Sequence, residues 1–281
     1  MLSQKTIKLC KVLNYNIAYH REGSGEIILL IHGITTYSFI WRNIIPLLSK
    51  NYDVIALDLL GCGESDKPLN IDYSLKNHSQ LLKEFVTVLG INKFHLVGHD
   101  LGGGIAQIFA VNYPELLIDL TLINTVAYDF WPVQPIIAMR TPIVRQLAMA
   151  SLDFGMLKLL VKRGIYHKKK VTPELMDYFS MPMKTKEGRK AFLHFAKSLN
   201  NQNLLEIQDD IRKLKMPVLI IRGDADLYLS LEISLKLNSE IPNSKLIRIN
   251  TASHFIQEDE PVKVTGNIIA FYKGNFNETK S

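Results

Sequence analysis

The chain has 281 residues, of which 47% are hydrophobic and 21% charged, with a formal net charge of +6. That composition is ordinary for a soluble globular protein, and the length suits one large domain or a domain carrying an insertion. The basic excess is dispersed, its densest run being Lys168-Lys169-Lys170, so neither nucleic acid nor a membrane surface is an expected partner.

No apolar run reaches the roughly 18–20 residues needed to span a bilayer. The opening Met1-Leu-Ser-Gln-Lys-Thr-Ile-Lys8 lacks the long apolar region of a secretory signal, and Cys10 and Cys62 cannot build a disulfide framework. The cytoplasm is the expected location. Zinc-finger spacing, a GxxxxGK[ST] phosphate loop and internal repeats are all absent, so neither a metal nor an organic cofactor is implied.

Taken in order, Lys8–Val12 and Tyr15–Tyr19 read as antiparallel strands joined by a turn. Glu26–His32 and Tyr52–Asp58 are continuous apolar runs of the kind that form strands buried on both faces. Phe94–Gly98, Leu116–Asn124, Pro217–Arg222 and Ser244–Ile249 read the same way. Helical patterns lie between them at Ser74–Leu89, Gly103–Asn112, Leu231–Ile241 and Pro261–Tyr272. Strands alternating with helices predict an α/β fold, a mostly parallel sheet covered on both faces.

One stretch breaks this rhythm. Pro132, Pro135 and Pro142 open a region without strand signals, followed by helical stretches near Ile143–Val161, Pro173–Phe179 and Gly188–Leu199. Thr172-Pro173-Glu174 is a helix-start signal: a cap, then Pro in the first turn, then an acid. The expected organisation is a core of residues 1–126 and 214–281, with residues 127–213 inserted as a helical cap over the carboxyl ends of the strands.

The most informative segment is Phe94-His-Leu-Val-Gly98-His99-Asp100-Leu101-Gly102-Gly103-Gly104, which reads as strand, tight turn and helix start. A G-x-S-x-G turn of this shape presents a serine nucleophile. Here the centre is Asp100, and a carboxylate attacks carbon without a base to activate it. Displacement at an sp³ carbon is therefore expected, rather than ordinary ester or amide cleavage. The alternative is that Asp100 only caps a helix, since Asp is a favoured N-cap residue.

Two further features share the chain with it. Thr251-Ala-Ser-His254 follows the last strand and supplies a general base. Gly223-Asp224-Ala225-Asp226 follows the fifth buried strand and supplies an orienting carboxylate; Asp226 is the choice and Asp224 the fallback. The chain order Asp100, Asp226, His254 is nucleophile, acid, base.

With Trp41-Arg-Asn-Ile-Ile-Pro46, Asp58-Leu-Leu-Gly-Cys-Gly-Glu-Ser-Asp-Lys-Pro68 and His254-Phe-Ile-Gln-Glu-Asp-Glu-Pro261, the chain resembles the Asp-nucleophile branch of the α/β-hydrolases. That branch holds haloalkane dehalogenases and epoxide hydrolases. The resemblance implies an α/β-hydrolase fold, an aspartyl-ester intermediate hydrolysed by His254-activated water, and an oxyanion hole made of the backbone N–H groups of Ile34 and Leu101. The partner it implies is a small apolar substrate, for a monomer or homodimer.

Side chains at two positions depart from the branch. Haloalkane dehalogenases usually carry Trp after the nucleophile and often Asn after His-Gly, both holding the leaving halide; here these positions are Leu101 and Ile34, which donate nothing. Each lost donor costs on the order of 3 kcal/mol. Epoxide hydrolases also commonly have Trp at the first position, and fluoroacetate dehalogenases have Arg there.

An epoxide is the leading expectation, with Tyr128, Tyr166, Tyr178 and Trp131 as substrate-binding residues of the insert. The alternatives are a dehalogenase whose halide donors come from residues such as Trp131 or Arg140, and an ester or lactone hydrolase. A non-catalytic ligand-binding member of the fold is the alternative from another class, and it has no need of Asp226 and His254 together.

Overall fold

The computed structural model of the chain describes residues 7–129 and 155–274. Aliphatic runs dominate its strands: β1 (Ile7–Val12), β2 (Tyr15–Gly23), β3 (Ile27–Ile31), β4 (Asp53–Leu57), β5 (Phe94–Asp100), β6 (Leu117–Thr125), β7 (Val218–Gly223) and β8 (Ser244–Ile249). They form one sheet in the order β1-β2-β4-β3-β5-β6-β7-β8. β2 pairs antiparallel with β1 and β4, and the remaining pairs are parallel.

The helices among the described residues are α1 (Ile45–Leu48), α2 (Leu75–Val88), α3 (Leu101–Asn112), α4 (Leu157–Arg163), α5 (Pro173–Ser180), α6 (Lys186–Ser198), α7 (Gln202–Leu205), α8 (Gln208–Ile211), α9 (Leu231–Glu240), α10 (Ile256–Asp259) and α11 (Pro261–Tyr272). Because strand side chains alternate between faces, Leu29 and Ile31 join one apolar cluster with Leu82, Phe85, Phe109 and Leu237 from α2, α3 and α9. Ile28 and Leu30 join the other, with Leu48, Val264 and Ile268 from α1 and α11. This two-sided burial is why β3 and β4 read as unbroken apolar runs.

β3 lies between β4 and β5, so the chain leaves it in opposite directions across the sheet. At such a reversal the carboxyl ends of neighbouring strands open a crevice. Ile31 is in register with Gly98. The residues following β3 therefore lie beside the end of β5, where Asp100 stands.

Between β6 and β7 the described residues hold helices and no strand. α5 begins as the sequence predicts: Thr172 is the cap, and its hydroxyl accepts from the Leu175 N–H at 3.2 Å. α6 begins earlier than the expected Gly188, because the Thr185 hydroxyl accepts from the Gly188 N–H. Single-turn α7 and α8 went unforeseen, being too short to show a period. Leu175 and Phe179 of α5 pack in the same cluster as Phe39 and Phe255, and Phe192 and Phe195 of α6 in the cluster of Tyr73.

Candidate active site

β5 runs straight into α3 with no loop between them: Asp100 is the last strand residue and Leu101 the first helical one. The turn forces Asp100 to φ 54°, ψ −119°, a conformation costly for a side-chain-bearing residue. Such strain persists only where neighbours over-determine it. Here they do: a Cβ on Gly102 would lie 2.4 Å from the Ile31 carbonyl oxygen, so only glycine lets α3 approach β3 this closely. A Cβ on Gly33 would lie 2.3 Å from Asp100 Oδ2.

The Asp100 side chain makes no capping hydrogen bond to its own helix. Its Oδ2 instead accepts from the Ile34 N–H at 2.9 Å. Burial pushes the carboxyl above its usual range, while His254 and the N–H groups of Leu101 and Ile34 pull the other way without cancelling that push. The Leu101 and Ile34 side chains are themselves buried and apolar.

His254, on the segment between β8 and α10, places its Nε2 4.0 Å from Asp100 Oδ1. Its Nδ1 lies 3.1 Å from Asp226 Oδ2. Burial works to lower the imidazole's affinity for a proton, but Asp226 and Asp100 together outweigh it and hold the pKa above the ordinary histidine value. Asp226 is held ionised. Its burial opposes the charge, but His254, Arg222 and the Tyr228 N–H overcome that and lower its pKa. Oδ1 accepts from the N–H groups of Tyr228 (2.8 Å) and Leu229 (3.2 Å). The fallback acid, Asp224, pairs with Arg248 at 2.8 Å instead.

Several residues that sequence reasoning missed fix this arrangement. Asn124, near the end of β6, donates from Nδ2 to the carbonyls of Ser253 and His254, both at 2.9 Å, and accepts from the Gly223 N–H. His99 Nε2 donates to the same His254 carbonyl at 2.9 Å. Burial lowers the His99 pKa to about 3, so that ring is neutral. Asp259 accepts from the Ser253 N–H, and Arg42 grips Glu258 with both terminal nitrogens, tying the segment after β3 to α10. Arg222, buried in β7, reaches Asp226 Oδ2 at 3.3 Å. A lone cation in the aliphatic run Val218–Gly223 was the signal available for it.

The tyrosines fall in different surroundings. The Tyr128 hydroxyl donates to Glu240 at 2.7 Å, and Lys236 Nζ lies 4.1 Å from its ring centroid, so this side chain is already engaged with α9. Tyr166 is held through its N–H by Asp259 and the residue is 44% exposed. Tyr178 stacks on Phe39, with centroids 5.4 Å apart, and Arg42 lies 5.0 Å from its ring. It lines a cleft of about 470 Å³ with Tyr37, Asp58 and Glu174. Tyr228 is a tyrosine that does stand beside the imidazole, at 5.1 Å, and its hydroxyl donates to the Leu160 carbonyl. Trp131 and Arg140 lie outside the described residues. Among the described residues no helix is long and apolar enough to cross a membrane, and no cluster of three metal-binding side chains occurs.

Comparison with known proteins identifies the fold family. Residues 26–261 match the model of the α/β-hydrolase-fold family. The chain is 28% identical over 267 residues to an uncharacterized hydrolase, YugF, of Bacillus subtilis, covering 92% of this chain and 94% of that protein. It is 29% identical over 264 residues to haloalkane dehalogenase 2 of Mycobacterium tuberculosis, covering 90% of each. Among solved structures, the haloalkane dehalogenase DbeA of Bradyrhizobium elkani superposes with a TM-score of 0.85 at 25% identity, over 95% of this chain and 97% of that one. The chain belongs to the α/β-hydrolase-fold family, as an α/β-fold hydrolase.

Proposed function

We propose that the protein hydrolyses a small apolar electrophile through an ester on Asp100, with an epoxide as the leading substrate class. One observation carries the reading: the two oxygens of a buried carboxylate face different partners, Oδ2 the Ile34 N–H at 2.9 Å and Oδ1 the His254 Nε2 at 4.0 Å. Oδ1 attacks the substrate's sp³ carbon, the carbon–oxygen bond of the epoxide breaks, and the freed alkoxide takes up a proton from solvent. Oδ2 becomes the ester carbonyl. His254 Nε2 then removes a proton from water, whose oxygen adds to the Asp100 carboxyl carbon. The resulting oxyanion sits on Oδ2, toward which the N–H groups of Ile34 and Leu101 already favour negative charge. Collapse breaks the bond to the alkyl oxygen, which leaves as product with the proton carried by His254, and Asp100 releases the remaining water proton to solvent, restoring its carboxylate. Asp226 holds the ring in orientation and stabilises the imidazolium.

The choice of epoxide rests on the leaving group. A departing halide needs a cradle of donors, and the side chains of Ile34 and Leu101 offer none. An epoxide oxygen stays tethered to the product and needs a single proton donor. Residues 127–213 act in this reading as the lid that keeps water from the apolar substrate. Styrene oxide is expected to give its diol with steady turnover, while bromobutane releases bromide at less than about a hundredth of that rate, the cost of one missing donor. Similarity to haloalkane dehalogenase 2 supports the second reading, dehalogenation. Bromide release faster than diol formation would establish it and reject the epoxide.

A further inference from the structure

The Asp226 carboxylate serves two cations. Its Oδ2 lies 3.1 Å from His254 Nδ1 and 3.3 Å from Arg222 Nη1. Arg222 is 2% exposed, and its Nη2 donates to the carbonyls of Leu229 at 2.7 Å and Asp226 at 3.2 Å. Its Nε is buried with no hydrogen-bond partner. A permanent cation kept in the sheet with one donor unmatched costs stability, and an aliphatic residue would suit β7 better. Such a cost at the edge of a reactive cluster points to function.

We propose that Arg222 is a positioning residue for the general base: by sharing Asp226 with His254 it keeps the imidazole free to accept the proton of water. The inference rests on the mechanism above and deepens it. In the resting site His254 faces two carboxylates, Asp226 and Asp100. In the ester, Asp100 has lost its charge, and the imidazole must then be neutral to act as a base. Asp226 alone still draws a proton onto it. Arg222 offsets that pull. The other titratable groups facing the ring are His99, 5.0 Å away and neutral, and Tyr228, 5.1 Å away. Beyond Arg222 stand Asp224 and Arg248, bound to each other. Among the described residues, the Arg222 guanidinium is the one cation besides the imidazole that hydrogen-bonds the oxygen holding it.

Removing a cation near an imidazole makes its protonated form easier to reach, so its pKa rises and less neutral base remains at neutral pH. A purely structural strut, gripping the Asp226 and Leu229 carbonyls, predicts loss of stability without that shift.

The test needs no turnover. The D100N protein carries an uncharged group at position 100, as the ester does, and its His254 resonance is titrated by NMR, assigned by its loss in H254Q. Adding R222M or R222Q to D100N is expected to raise the His254 pKa by roughly one unit, whereas R222K, which keeps the charge, leaves it within a few tenths. Two neutral replacements guard against one that does not fold. An unshifted or lowered pKa in the neutral variants, or a shift in R222K equal to theirs, overturns the proposal. Failure of the nucleophile reading would appear separately, as absence of an adduct on Asp100 in the protein with Arg222 intact.

Discussion

Replacing His254 with Gln is expected to leave the first half of the reaction running and to stop the second. Asp100 needs no base to attack, so one equivalent of substrate is consumed per site. Without an imidazole no group takes the proton from water, and steady turnover falls by about ten-thousandfold. Gln also keeps a hydrogen-bonding side chain of similar length beside Asp226. Rapid quenching followed by intact-mass measurement reads the result: a burst of one equivalent, with the mass of the substrate retained on the protein. Continued multiple turnover at a tenth of the original rate would remove His254 from the proposed role.

Asp100→Asn is expected to abolish the burst itself and to lower turnover by a factor on the order of 10⁴ or more, since a carboxamide is a poor nucleophile. The stability effect runs the other way. Burial raises the Asp100 pKa in the folded protein above its unfolded value. Folding therefore favours the protonated carboxyl, and as pH rises through the two values the ionised side chain takes stability away. At neutral pH the uncharged Asn removes that penalty, and its carbonyl oxygen still accepts from the Ile34 N–H. The variant should melt at the same temperature as the original protein or higher. Functional groups that cost the fold stability are a common feature of active sites. An ionised helix cap predicts the reverse: Asn caps as well as Asp, but losing the charge beside the helix dipole costs about 0.3–1 kcal/mol.

Much of the fold is legible in the chain because its signals are local and strong. Ile28–Ile31 and Phe94–Asp100 are buried on both faces, as a parallel sheet covered on both sides requires. The strand, glycine turn and helix around Asp100 occupy eleven consecutive residues, Phe94–Gly104, so one window contains the whole signal. The sequence prefers Asp226 to Asp224 by its place after the glycine; in the structure Asp226 lies 3.1 Å from the imidazole and Asp224 pairs with Arg248.

What the sequence hid was lateral. Asn124 reaches His254 across 130 positions, and nothing near residue 124 marks it; it becomes visible only when β6 is laid beside β7. Arg222 is a single charge in an apolar strand, and which way it points depends on the register of β7. The tyrosines carry the same lesson. Periodicity places Tyr178 on a helix, but whether it meets Phe39 or the substrate is a matter of helix orientation. The start of the expected helical stretch Ile143–Val161 lies outside the described residues.

The central claim is that the oxygen delivered to the product comes from Asp100, and that water restores the carboxylate. A single turnover in water labelled with heavy oxygen, with protein in excess over substrate, tests it most directly. The account predicts unlabelled product and one heavy oxygen in the peptide containing Asp100. Label in the product, with Asp100 unlabelled, would show that water attacks the substrate itself and would contradict the account.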